Sequence, residues 1–133
     1  RTFNKISLLP LFCVVFLLVA VNHATAQIPD DIVVSLKTGN ARLLASYFNQ
    51  SVELAILEDD NVYTKAQAEQ IVTGFFSRNQ PEKFTIIHLG GKEGAQYVIG
   101  NLVTRQGTFR VSFLLKTTAD KEIIHQLRIF KQE

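Results

Sequence analysis

The chain has 133 residues and 15.0 kDa, room for one domain of ordinary size. Its 47 % apolar and 20 % charged residues exclude a disordered chain. A single cysteine excludes an internal disulfide framework or a cysteine-based metal site, and a formal charge of +2 is too small for a nucleic-acid-binding surface.

The first 26 residues read as a secretory leader. Arg1 and Lys5 form a basic start, Ile6 to Val21 is almost wholly apolar, and Ala24-Thr25-Ala26 places the cut before Gln27. The rival reading is a membrane anchor. The apolar run includes Pro10, falls short of the ~20 residues needed to span, and lacks basic stop-transfer residues. Cys13 is preceded by Leu11-Phe12 where a lipidated cysteine needs small residues. The expectation is therefore a leader over residues 1–26, a single α+β domain over residues 27–133, and a secreted or periplasmic address with no membrane attachment after cleavage. The leader holds two of the 14 basic residues and none of the 12 acidic ones, so the mature chain is neutral, and it has no cysteine. Such a domain depends on its hydrophobic core.

Pro29-Asp30-Asp31 predicts a helix start, with Ile32, Val33 and Leu36 at helical spacing and Gly39 as C-cap. Asn40 is placed to cap a second helix whose Leu43, Leu44, Tyr47 and Phe48 continue one stripe, ended by Asn49-Gln50-Ser51. Ser51 to Glu58 alternates as a half-buried strand, and Asp59-Asp60-Asn61 reads as a turn. Thr64 and Gln67 form a capping box for a helix over Lys65 to Arg78, whose Ala68, Ile71, Val72, Phe75 and Phe76 share one face. Beyond Pro81 the pattern is strand: Phe84 to Leu89, Gln96 to Thr104 with a soft break at Gly100, Thr108 to Thr117, and Glu122 to Lys131. Short turns make these antiparallel neighbours. The order α-α-β-α-β-β-β-β predicts helices packed on one face of a curved antiparallel sheet.

That order resembles the nuclear transport factor 2-like, or cystatin-like, cone fold. Closer in are Lys37-Thr38-Gly39-Asn40-Ala41, Tyr47-Phe48-Asn49, Val62-Tyr63-Thr64-Lys65-Ala66-Gln67, Gly94-Ala95-Gln96-Tyr97, Gly107-Thr108-Phe109-Arg110-Val111 and Gln126-Leu127-Arg128-Ile129. With these segments the chain resembles a secreted Bacteroidota family, domain of unknown function 4783, over nearly all of residues 28–130. The resemblance implies a cone and a leader. It brings no activity and no catalytic residues.

Isomerase- or dehydratase-type relatives of the cone place an acid or base among apolar residues, where desolvation moves its pKa. Asp59, Asp60 and Asp120 fall in turns, Asp30 and Asp31 at a helix start, and Glu53 opposite the apolar side of its strand, so no catalytic carboxylate is assigned. His88 and His125 are the only mature histidines. His125 reads as core-side, with Ile123, Leu127 and Ile129, and two histidines fall short of a catalytic zinc set. No metal and no cofactor are expected. Gly90, Gly91 and Gly94 lack phosphate-loop spacing, and no G-x-S-x-G elbow occurs.

The aromatics read mainly as core, with a ligand pocket drawn from Tyr47, Phe76, Tyr97, Phe113 and His125. Arg110, Ile124, Arg128 and Phe130 read as one mixed apolar and arginine face, the composition of an interface. The cone resemblance implies pairing through that face. The expected function is a non-catalytic secreted domain that binds a small apolar ligand or a partner protein. The alternatives are a pocket enzyme of isomerase or dehydratase type using His125 or His88, and a structural envelope docking module.

Overall fold

The computed structural model describes residues 28–133. The leader and its cut before Gln27 lie outside them. Three helices and six strands follow in the order α1 (Asp30–Thr38), α2 (Ala41–Ala45), β1 (Phe48–Ile56), β2 (Asp59–Thr64), α3 (Lys65–Arg78), β3 (Pro81–Lys92), β4 (Ala95–Thr104), β5 (Gly107–Thr118) and β6 (Lys121–Lys131).

α3 forms where its capping box and apolar stripe require it. The Gln67 N–H donates to Thr64 Oγ1 at 3.2 Å and the Thr64 N–H donates to Gln67 Oε1 at 3.1 Å, so two of the orphan donors at the helix start are satisfied reciprocally. Its Ala68, Val72, Phe75 and Phe76 are buried. Phe75 meets Phe109 of β5 edge-to-face at 5.0 Å, locking the helix over the middle of the sheet. α1 ends at Gly39, whose φ of 75° is the left-handed cap that glycine adopts without strain.

The six strands form one sheet in the order β2-β1-β6-β5-β4-β3. Every neighbouring pair is antiparallel except β1 and β6, which run parallel. This corrects the sequence reading in three places. The second helix stops at Ala45, and Phe48 begins a strand because β6 takes up the backbone there, with the Ile124 N–H donating to the Tyr47 carbonyl at 2.7 Å. Asp59-Asp60-Asn61 is not a turn: the chain reverses at Leu57 and Glu58, and residues 59–64 form edge strand β2. No apolar alternation announced that strand, since only Tyr63 in it is half-buried.

The third correction is a phase change in β6. β5 pairs Leu115 with Ile124 and then Leu114 with Gln126, leaving His125 as an extra residue. Inward and outward faces therefore exchange at His125. Ile124 is fully buried in the core with Leu127 and Ile129, not on the exposed face with Phe130, and His125 does not share the core face.

Candidate functional site

The core is built from inward side chains of the sheet and of the helices packed on it. Phe75, Phe113, Leu102, Leu115 and Leu127 are among the largest fully buried residues, and Phe76 and Phe109 close around them. The five residues expected to line one ligand pocket are distributed over separate places. Phe113 and Phe76 belong to the core. Tyr97 lies on the opposite face of the sheet from Phe113, because Val98 and not Tyr97 is the register partner of Phe113, and its hydroxyl lies 3.3 Å from Ser112 Oγ. Tyr47 borders a hollow of about 460 Å³ with Pro29, Gln50, Lys65 and Lys121. Its hydroxyl donates to Asp31 at 3.4 Å, and burial first, then the Asp31 charge, raises its pKa. His125 borders a different pocket, of about 290 Å³.

The outer face is assembled from the residues that alternate away from the core. One row across the strands runs Ile99, Ser112, Arg128, Ala55 and Asp60, and the next runs Tyr97, Leu114, Gln126, Glu53 and Val62. A third joins Asn101, Arg110 and Phe130. The Arg110 Nε–H donates to Asn101 Oδ1 at 3.1 Å, and the Arg128 guanidinium stands 5.1 Å from the Phe130 ring centre, a cation–π contact. Arg110, Arg128 and Phe130 thus share the surface expected of them, while Ile124 does not. Cationic groups lie toward β5 and β6. Glu58, Asp59 and Asp60 lie at the β1–β2 end.

In the His125 pocket, Gln126 Nε2 donates to Glu53 Oε2 at 2.8 Å. Glu53 is therefore engaged with an amide and not with the imidazole. The His125 Nε2 is shut off from solvent and has no hydrogen-bond partner among the described residues. Burial first, then the nearby Lys116 charge, lowers its pKa from the ordinary 6.5. Lys116, Glu53 and Asn49 were not foreseen as a group. The one legible sign was the three-residue step from Ile124 to Leu127 in a strand that otherwise steps by two. His88 is exposed on edge strand β3. Among the described residues, no group of three or more His, Cys, Asp or Glu is placed to hold a metal ion, and no helix is long and apolar enough to cross a membrane.

A curved sheet wrapped around one long helix is the nuclear transport factor 2-like, cystatin-like fold. It is shared with a cystatin-like domain of unknown function from Nostoc punctiforme (7 % identity, 78 % of this chain and 72 % of that one, TM-score 0.62). An NTF2-like protein of unknown function from Shewanella baltica has it too (10 % identity, 78 % and 87 % coverage, TM-score 0.62). Residues 29–129 match the family model for domain of unknown function 4783, and the chain belongs to that family. A solved family member from Bacteroides ovatus is 30 % identical over 82 % of this chain and 99 % of its own, with a TM-score of 0.77. No curated protein matches the chain.

Proposed function

We propose that this protein is a non-catalytic binding domain whose outer sheet face docks a second copy of itself, outside the cytoplasm and after removal of residues 1–26. The observation that carries this reading is the composition of that face. Ile99, Leu114 and Phe130 remain partly exposed beside Arg110 and Arg128, and apolar side chains interleaved with arginine are the usual content of an interface. The face is also self-complementary. A two-fold axis lying in the plane of the interface and parallel to the strands lays the arginine half of one copy over the acidic β1–β2 end of the other.

Phe113 and Phe76, two of the five residues expected to line an internal pocket, are core side chains, which favours the outer face over the inside of the cone as the binding surface. Among the described residues, no carboxylate is hydrogen-bonded to His125 or His88, as the isomerase or dehydratase reading would need.

Sedimentation equilibrium on the purified protein tests the proposal. The expected result is a dimer, converted to a monomer by Arg128→Glu or Phe130→Asp with the circular dichroism spectrum unchanged. A monomer at every concentration sinks it. Ile124→Asp is not a usable probe, because it places a charge in the core. For the address, mass spectrometry of the protein from cells is expected to find Gln27 at the N-terminus, and an intact leader would refute cleavage.

A further inference from the structure

At His125 both neighbours of β6 lose step with it. On one side β5 leaves His125 without an opposite residue. On the other, β1 advances from Phe48 opposite Ile124 to Glu53 opposite Gln126, five residues against two on β6. The strands part there, and the gap is the pocket of about 290 Å³ on the outer face. Bulges of this kind re-aim side chains and cluster beside functional sites.

The pocket has one cation, Lys116 from β5, and one carboxylate, Glu53 from β1, with Val62 and Leu114 as its apolar lining. Among the described residues, no ion pair joins Lys116 to Glu53. Gln126 occupies one Glu53 oxygen, and the other has no described hydrogen bond. The His125 ring borders the pocket, while its Nε2 is shut off from solvent. A simple anion entering here meets Glu53, and a simple cation meets Lys116; like charges brought together in a partly dehydrated site oppose binding. A ligand carrying both charges satisfies both groups. The volume sits at the bottom of the usual range for small-molecule pockets, about 300–1,000 Å³, so the ligand is small.

We infer that this pocket binds a zwitterion of the α-amino-acid class. Its carboxylate sits on Lys116 beside the His125 ring, its ammonium on the free Glu53 oxygen, and an aliphatic side chain against Val62 and Leu114. The site shares Leu114 with the face proposed to pair, but its cation lies beyond the arginines of that face. Lys116 is six residues along β5 from Arg110, about 20 Å away at the usual rise per residue.

NMR titration of the purified protein separates the ligand classes. The probes are L-leucine, 4-methylpentanoate, which keeps the carboxylate and alkyl chain without the ammonium, and 3-methylbutylamine, which keeps the ammonium and alkyl chain without the carboxylate. L-leucine is expected to give saturable shifts at His125, Glu53 and Gln126 with a Kd on the order of 1 mM. Either single-charge analogue is expected to bind about tenfold more weakly, a difference of about 1.4 kcal/mol. Glu53→Gln and Lys116→Gln change exposed side chains and are expected to leave the melting temperature unchanged. In Glu53→Gln, leucine falls to the level of 4-methylpentanoate; in Lys116→Gln, it falls to the level of the amine. Equal binding of leucine and either analogue to the unaltered protein overturns the proposal, as does the absence of any saturable shift.

Discussion

Gly100 has no room for a methyl group. A Cβ built there would stand 2.5 Å from Phe84 Cζ and 2.8 Å from the Thr85 carbonyl oxygen. The break read at Gly100 is thus a close approach of β3, whose register shifts between Ile86 and His88 opposite Gly100 and Ile99. Gly100→Ala is expected to cost about 1–3 kcal/mol in urea unfolding, the usual penalty of overpacking. At His125 the argument is electrostatic. Burial and Lys116 lower its pKa in the folded state, so between that value and 6.5 the unfolded chain binds more protons. The stability this contributes is present above pH 6.5 and is lost as pH falls from 6.5 toward the folded value. Melting temperatures between about pH 7 and pH 5 are expected to fall less steeply in His125→Gln than in the unaltered protein. Parallel curves would mean that the imidazole is equally hydrated in both states.

α3 was readable to the residue because its signals are local. Its cap, its stripe and its stop before Pro81 all lie within the helix or beside it. Thr64→Ala removes the acceptor for the Gln67 N–H and is expected to cost about 1 kcal/mol, measured as a shift in the urea midpoint. β2 was not readable, because an edge strand with one half-buried side chain has no core face to imprint on its sequence. Its identity comes from pairing with β1, opposite which Ser51 to Ile56 lie in register with Thr64 to Asp59. The hairpin joining β5 and β6 was expected from composition, and Ala119 and Asp120 both adopt positive φ, 51° and 63°, as a two-residue turn matched to the sheet twist requires.

At the scale of the molecule, β1 returning parallel to β6 extends the four-stranded meander into a six-stranded sheet and sets Glu53 beside Gln126. If two copies pair through charge-complementary faces, the dimer is expected to weaken as salt rises, since exposed charges are screened beyond about 10 Å at 0.1 M. Sedimentation at two ionic strengths measures this alongside the Arg128→Glu variant.

By itself the sequence determined the helix α3, the strands β4 and β5, and the family with its cone, because each is written in short-range periodicity or in contiguous matching segments. Only the tertiary structure decided which way Ile124 and His125 face, that β2 is a strand, and that Phe76 and Phe113 pack in the core. A bulge in β6 takes its phase from neighbours distant in the chain, and the volume left inside a sheet depends on how every inward side chain packs at once.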